Sequence, residues 1–346
     1  MSASPVSEAP ALDLSWLDLY REPSSAAPGR KGLTLREIAA GPYGEGARTE
    51  PDMTTRIRGA APRPGAQRFG PGYRSKADVW SDNCMMLYEE AVQRQWSSAR
   101  DIPWDTLEEL PDDLERAMCQ LCTMLTEVEF IAGDVPGQWL PFVSAQDYEA
   151  GLFLMTQIMD EARHTDVFRK RALANGGGLL AQGQNGLRTL IEARDFTEMS
   201  VLMHVQAEGF VQSMFRMGEL IGQTDADKKI FRMSAQDESR HLAFGVMHLK
   251  YVLDTQPERR EEIHHYLDKA EVDGGGASGD VTLQEVFESL CILLGGGRDK
   301  FDEGVQKFLL LRKRQVNEYM HRLEVAGLGD RRQRVGPLLA QFLDPA

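Results

Sequence analysis

The sequence predicts an all-α protein built around a bundle of long helices. From about residue 79 the apolar residues recur at helical spacing, whereas alternating runs of β-branched residues are scarce. Clusters of glycine and proline, such as the three glycines at 176–178, separate the periodic segments. A short motif also occurs twice, as DEARH at 160–164 and DESRH at 237–241. Long amphipathic helices with short connections bury their apolar faces by packing as a bundle.

The composition limits the class of protein. The chain has 346 residues, 42% of them hydrophobic, which is enough for one large domain or two small ones. The net charge of −14 disfavours a nucleic-acid partner, because phosphate binding needs a basic surface. No apolar segment approaches the ~18 residues that cross a bilayer, and no signal sequence is recognisable. Four cysteines in a chain of this length do not indicate a disulfide scaffold. We therefore expect a cytoplasmic protein that binds no membrane.

Three segments are expected along the chain. Residues 1–78 contain PSSAAPGRKG and GAAPRPGAQRFGPGYRSK, which are typical of an irregular arm, either disordered or wrapped on the body. Residues 79–330 are expected to form the helical domain, and residues 331–346 a C-terminal tail.

The helices of the domain follow in order from the apolar periodicity. The first is expected at 79–96, and the second begins near Pro111 and ends where Gly133 and Pro136 interrupt the pattern. The segment 187–222 is compatible with one long helix or with two. Further helical segments are expected at 145–174, 225–254, 258–272 and 281–325, the last of them interrupted by the three glycines at 295–297.

The repeated motif points to metal binding. Each copy contains Glu-x-x-His, as Glu161 with His164 and as Glu238 with His241. Residues three apart on a helix lie about 5–6 Å apart at their Cβ atoms, so the carboxylate and the imidazole can hold one metal ion together. Two such helices placed face to face could hold two ions.

Each metal ion would need a further carboxylate from another helix. Glu208 stands 30 residues before Glu238 in an apolar stretch, and Glu129 stands 32 residues before Glu161. Glu127 is the alternative to Glu129. Residues two apart in the sequence are separated by about 200° around the helix axis, so only one of these glutamates can face inward. The apolar residues in phase with Glu129 outnumber those in phase with Glu127, so Glu129 is preferred and Glu127 stays open.

With these six residues, the sequence resembles the ferritin-like di-iron carboxylate superfamily over residues 80–255. The resemblance implies a ferritin-like four-helix bundle core with additional helices. The superfamily includes ribonucleotide reductase small subunits and the bacterial multicomponent monooxygenases, whose ligand helices also contain Asp-Glu-x-Arg-His. This implies that the flanking residues orient the histidines: Asp160 and Arg163 at His164, and Asp237 and Arg240 at His241.

The predicted ligand set suits iron or manganese, because four carboxylates and two imidazoles are mainly oxygen donors. The resemblance implies two iron ions, with Mn/Fe as the alternative, and O2 as co-substrate. Glu161 and Glu208 are the candidates for catalytic carboxylates that shift between bridging and terminal binding. His204 lies four residues before Glu208 and would be a seventh ligand, or else a hydrogen-bonded core histidine.

Two positions depart from those relatives. Phe168 stands where ribonucleotide reductase small subunits carry the radical tyrosine, and Gln212 stands where the monooxygenases carry a threonine. Storage of a tyrosyl radical at that position is therefore disfavoured. The departures favour a smaller oxygenase over either of those systems.

The sequence thus predicts an O2-activating non-haem di-iron oxygenase or oxidase for a small organic substrate. Hydroxylation, N-oxygenation and desaturation all fit the same ligands. Electrons are expected from a separate reductase or ferredoxin, because the sequence carries neither a Gly-rich dinucleotide motif nor a four-cysteine cluster. The alternatives are a non-catalytic iron-binding or partner subunit and a Mn/Fe oxidase of the ribonucleotide-reductase type. The oligomeric state is open, with a homodimer as one option.

Overall fold

A computed structural model describes residues 14–18, 26–48, 54–62, 65–68, 72, 74–175, 177–181, 188–274 and 281–345. These ranges contain helices and turns but no β-strand. None of the helices they contain is long and apolar enough to cross a membrane. The longer helices, in chain order, are α1 (Cys84–Gln93), α2 (Asp112–Trp139), α3 (Tyr148–Ala174), α4 (196–215), α5 (Asp225–Thr255), α6 (Arg260–Gly274), α7 (Val281–Gly295) and α8 (Phe301–Val325).

Helix α4 changes type along its length, which answers the question of one helix or two. It is α-helical at Phe196–Ser200, π-helical at Val201–Ala207 and α-helical again at Glu208–Phe215. Separate short helices at Arg188–Ile191 and Gly218–Ile221 flank it. A π segment has one more residue per hydrogen-bonded turn than an α-helix, so it rotates the residues that follow relative to those that precede.

The core of the fold is a bundle of α2, α3, α4 and α5. Helix α2 packs along α3, and α5 packs against both α4 and α3. Two apolar clusters fill the bundle, one around Phe153 and Phe244 and the other around Phe168 and Phe231. On α3 and α5 these aromatic residues lie on either side of the DEARH and DESRH motifs, at 160–164 and 237–241. The predicted polar site therefore lies between the two apolar clusters.

A buried ion network joins three of the bundle helices at one end. The guanidinium of Arg171 on α3 donates to both carboxylate oxygens of Glu115 on α2, at 2.8 and 3.1 Å. It also donates to the carboxylate of Asp227 on α5. Asp227 also forms a capping box with Thr224 at the start of α5: its amide donates to the Thr224 hydroxyl at 3.2 Å, and its carboxylate accepts from the Thr224 amide at 3.0 Å. These contacts hold α2, α3 and α5 together at this end of the bundle.

Helix α2 is longer than the sequence suggested, and the expected end near Gly133 and Pro136 is wrong. The helix continues to Trp139, with Pro136 inside its last turn. Burial of Val135, Pro136 and Trp139 offsets the hydrogen bond that proline cannot make. Gly133 lies inside the helix where α2 packs on α3, and a Cβ built there would make an ordinary contact, at 3.4 Å, with Cβ of Glu161.

Parts of the N-terminal arm contact the helical body, whereas 1–13, 19–25, 49–53, 63–64, 69–71 and 73 fall outside the described residues. Arg58 is fully buried with Glu149 of α3, and its Nη1 also donates to the carbonyl of Gln146 at 2.6 Å. Arg48 forms an ion pair with Asp147 at 2.6 Å. In the tail, Arg331 binds Glu271 of α6 at 2.7 Å. The segment boundaries at 78 and 330 stay predictions.

The contact between α7 and α8 requires a glycine. A Cβ built on Gly304 would lie 1.8 Å from the carbonyl oxygen of Cys291, a contact that no side chain can make. We expect Gly304→Ala to force the two helices apart and to lower the free energy of unfolding by about 3 kcal/mol, the upper range for overpacking. Urea denaturation measures this change. Gly336→Ala is the control, because its Cβ would meet nothing within 4 Å. Equal unfolding midpoints for the two variants would contradict the prediction.

Candidate metal centre

Six buried side chains from the four bundle helices converge between the two apolar cores. Their ligand atoms form two overlapping groups, and within each group these atoms all lie within 4.8 Å of one another. The first group is Glu129, Glu161, His164 and Glu238, and the second is Glu161, Glu208, Glu238 and His241. These are the six residues that the sequence analysis singled out.

The structure distinguishes Glu129 from its neighbour Glu127. Glu129 is 3% exposed and belongs to the first group, whereas Glu127 is half-buried and belongs to neither. The helical phase of α2 therefore turns Glu129 toward α3 and α5. The preference for Glu129 agrees with this geometry.

The two halves of the cluster have matching geometry. Nδ1 of His164 lies 3.1 Å from Oε2 of Glu161 and 3.1 Å from Oε1 of Glu238. Nδ1 of His241 lies 3.0 Å from Oε1 of Glu161 and 3.4 Å from Oε2 of Glu238. The Glu129 and Glu208 carboxylates stand farther out, at 3.7 and 3.8 Å from the Nδ1 atoms of their respective histidines. The repeated motif thus produces an approximate two-fold arrangement.

Glu161 and Glu238 are the shared carboxylates, since both belong to both groups. The sequence analysis named Glu161 and Glu208 as the carboxylates that shift between bridging and terminal binding. Glu161 belongs to both groups and Glu208 to one, and the shift itself stays a prediction. Both shared carboxylates come from Glu-x-x-His helices, which lie face to face at the centre.

Many polar atoms of the cluster lack a partner, and this makes it suited to cations. Within the part of the chain that the structure describes, buried carboxylate oxygens of all four glutamates have no hydrogen-bond partner, and neither has Nδ1 of His241. A buried carboxylate without a partner is costly, so an arrangement of this kind is stable only with protons or cations. Oxygen and imidazole donors at these distances fit two ions of iron or manganese.

The pKa shifts of the glutamates reflect the same unfavourable burial of neighbouring acidic groups. Burial raises the pKa of Glu129 and of Glu208 well above its usual value, and the nearby carboxylates contribute in the same direction. Burial also opposes ionisation of Glu161, but the two histidines outweigh it and lower the pKa of that carboxyl. Four clustered carboxylates thus cannot all be ionised without cations among them.

The aspartates and arginines of the two motifs form a crossed network behind the histidines. Nε2 of His164 on α3 lies 3.3 Å from Oδ2 of Asp237 on α5. Nε2 of His241 on α5 lies 3.2 Å from Oδ2 of Asp160 on α3. The expected pairing of each histidine with the aspartate of its own motif is therefore wrong. Each ring points Nδ1 at the cluster, so its Nε2 reaches across to the neighbouring helix.

The two arginines hold these aspartates in place. Arg240 Nη2 donates to Asp160 at 2.8 Å and to Asp237 at 2.5 Å. Arg163 Nη2 donates to Asp237 at 3.0 Å and also to Asp160. Burial opposes ionisation of Asp237, but His164 and the two arginines lower the pKa of that carboxyl. An ionised aspartate at Nε2 fixes the ring orientation that leaves Nδ1 free to bind a metal.

His204 lies outside both ligand groups. Its Nδ1 lies 3.0 Å from the hydroxyl of Ser200, and its Nε2 lies 3.2 Å from Oε1 of Gln157. Burial lowers the pKa of His204 to about 3, so the ring is neutral. The geometry agrees with the alternative of a hydrogen-bonded core histidine.

Two residues that touch the cluster escaped the sequence analysis. Nε2 of Gln157 donates to Oε1 of Glu208 at 3.1 Å, and Nε1 of Trp96 donates to Oδ2 of Asp237 at 2.7 Å. Gln157 lies four residues before Glu161, so a polar residue in phase with the ligands was its available signal. Trp96 comes from a segment just after α1, and nothing in the sequence places it near Asp237.

Comparison with family models and with curated proteins gives no match for this chain. Solved structures do share its fold. A variant of an R2-like ligand-binding oxidase with anaerobically reconstituted Mn/Fe cofactor aligns with a TM-score of 0.53 at 18% identity, covering 71% of this chain and 94% of that chain. The fold is ferritin-like. A second variant of such an oxidase, with aerobically reconstituted Mn/Fe cofactor, gives a TM-score of 0.53 at 17% identity and covers 71% of this chain and 97% of that chain.

The comparison confirms the predicted fold class and the resemblance to the ferritin-like proteins. The ferritin-like bundle of this chain also places a buried carboxylate and histidine cluster at its centre. At these identities the likeness concerns the fold, and the site of this chain is argued from its own residues.

The crossed network leads to a test of metal affinity. We expect Asp160→Asn and Asp237→Asn each to weaken metal binding by about 10- to 100-fold, because a neutral amide no longer fixes the histidine of the opposite helix. Titration against a competing chelator measures the affinity. Asp254→Asn is the control, because this aspartate is exposed and pairs with Lys250. Binding as tight as that of the original chain in both variants would show that the network is not needed.

Proposed function

We propose that this ferritin-like protein is a non-haem oxidoreductase that uses two metal ions to activate O2 and oxidise a small organic molecule. The observation that carries the proposal is the buried cluster of four glutamates and two histidines, in which at least one oxygen of every glutamate makes no hydrogen bond within the described structure. Each half offers donors for one ion, and the halves share two carboxylates.

The ligand groups assign the metal-binding residues. Glu129 and His164 would hold one ion, and Glu208 and His241 the other. Glu161 and Glu238, which belong to both groups, would contribute to both sites. Two ions of iron or manganese bound here would supply the electrons that O2 needs to become an oxidant of organic compounds. The charge of four carboxylates equals that of two divalent cations. Binding of two such ions would therefore neutralise the buried carboxylates and stabilise them.

The remaining residues keep the site ordered and dry. Asp160 and Asp237 hold the imidazole rings through Nε2. Gln157 holds one oxygen of Glu208, whereas the other has no partner in the described structure. Phe153 stacks on Phe244 with ring centroids 4.4 Å apart in the apolar cluster on one side of the site, where it excludes water.

The metal pair and the electron donor belong to the same proposal. Two iron ions fit the donor set, and Mn/Fe is the second candidate because the similar oxidases carry Mn/Fe cofactors. We infer that electrons come from a separate reductase or ferredoxin. Hydroxylation, N-oxygenation and desaturation are the reactions that such a site can perform on a small substrate.

The choice between neighbouring glutamates gives a matched test of the ligand set. We expect Glu129→Gln to lower the bound metal from two ions per chain toward one, because the first group loses a charged ligand. Glu127→Gln is the control and should leave the content at two, because Glu127 lies outside both groups. Elemental analysis after expression with iron and manganese supplied measures both contents and identifies the metals. Equal metal loss in the two variants would contradict the assignment.

Turnover is tested with the purified, metal-loaded and chemically reduced protein. We expect O2 uptake that depends on an added organic substrate and continues beyond one equivalent per chain. Small amines, aromatic acids and alkenes form the first panel, with product analysis by mass spectrometry. His164→Ala should abolish uptake, since one ion then lacks its imidazole. Oxidation of the bound metal once, with no organic product from any compound, would favour the alternative of a non-catalytic iron-binding subunit.

A further inference from the structure

A second polar feature lies outside the metal centre. An open pocket of about 760 Å³ is lined by residues of α4, α5 and α8. Its walls include the exposed Leu310 and the half-buried Leu242, together with several arginine and lysine side chains. Gln212 also lines it, one helical turn after Glu208. The pocket therefore combines apolar walls with positive charge beside the helix that carries Glu208.

Arg322 is the unusual residue of this pocket. Its Nε and Nη2 atoms are buried and have no hydrogen-bond partner in the part of the chain that the structure describes. The guanidinium lies against α4, where a Cβ on Gly209 would come within 2.5 Å of Nη2. Burial lowers the pKa of Arg322 to about 10, so the group still carries its charge at neutral pH. A buried cation without an anion is costly, as is a buried donor without an acceptor.

The carboxylates that line the pocket are already engaged by other cations. Glu318 accepts from Arg314 at 2.8 Å and from Arg216 at 3.3 Å. Asp344 pairs with Lys313 at 2.7 Å. Among the lining arginines and lysines, Arg322 alone has no carboxylate at ion-pair distance within the described ranges. The lining thus carries four positive charges and two negative ones, and Arg322 is the lining cation that no carboxylate of the described residues pairs with.

We propose that this pocket binds an organic carboxylate, whose carboxylate group pairs with Arg322 and whose apolar part lies against Leu242 and Leu310. Because Nε and Nη2 are buried against α4, the carboxylate would contact the side of the guanidinium that faces the pocket. The excess of positive charge favours an anion, and Arg322 is the cation left for it to pair with. The apolar walls favour an organic body over an inorganic ion. This site is distinct from the metal-binding residues, and its occupancy does not depend on the proposed oxidation.

The binding test uses the full-length protein as purified, with benzoate and hexanoate as probes and isothermal titration calorimetry as the measurement. Benzamide and hexanamide are the neutral counterparts of the same shape. We expect saturable binding of at least one acid and about 10-fold or weaker binding of its amide, since a charge-assisted pair contributes roughly that factor. Equal binding of acid and amide, or no binding of either acid at about 10 mM, would overturn the proposal.

Variants locate the charge that is responsible. We expect Arg322→Gln to weaken acid binding by about 10-fold or more, and Arg322→Lys to retain part of it, because lysine keeps the charge without the fork. Arg188→Gln is the control, since this exposed arginine changes the net charge equally and lies outside the pocket. Acid binding by Arg322→Gln at the original affinity would overturn the assignment.

Stability is followed in parallel by thermal unfolding. Arg322 has no ion-pair partner in the described structure, so Arg322→Gln strands no buried carboxylate and should fold with an unchanged or higher Tm. If that variant fails to fold, Arg322→Lys and the acid-to-amide comparison decide the question. Binding of inorganic phosphate but of neither acid would overturn the choice of an organic ligand. A protein that binds benzoate but never consumes O2 would contradict the proposed function and leave this inference standing.

Discussion

Burial of four carboxylates inside an apolar helix bundle is the constraint on which this structure depends. Isolated charges in such a place are strongly unfavourable, and the hydrogen bonds available within the cluster satisfy only part of their acceptors. The metal-free protein is therefore less stable than it would be with apolar residues at these core positions. Proteins accept strain of this kind at functional sites, where a ligand later relieves it.

The rest of the bundle is arranged to keep that layer intact. Aromatic residues of α3 and α5 form dry cores on both sides of the ligands, and the Arg171 network joins three helices at one end. The crossed aspartates and arginines add a second polar layer behind the histidines. The π segment of α4 ends where Glu208 begins, so the helix changes its phase next to a candidate ligand.

Much of the site could be predicted from the sequence because its ligands obey helical periodicity. Glu-x-x-His is a local pattern, and the upstream glutamates lie in amphipathic segments whose phase favours Glu129 over Glu127. The contacts that escaped prediction join different helices. Whether His164 pairs with Asp160 or with Asp237 depends on how two helices face each other, which periodicity does not encode. The end of α2 was missed for a related reason, because burial outweighed the local preference of Pro136.

The crossed histidine contacts have a consequence for how the centre is assembled. Each imidazole is oriented by an aspartate that belongs to the opposite half, so neither half can be rigid while the other is disordered. A cation bound in one half would hold α3 and α5 in their relative positions. The other half would then lose less conformational entropy when its own cation binds. The two copies of the motif would then bind their cations cooperatively, since the first cation would order residues that the second one needs.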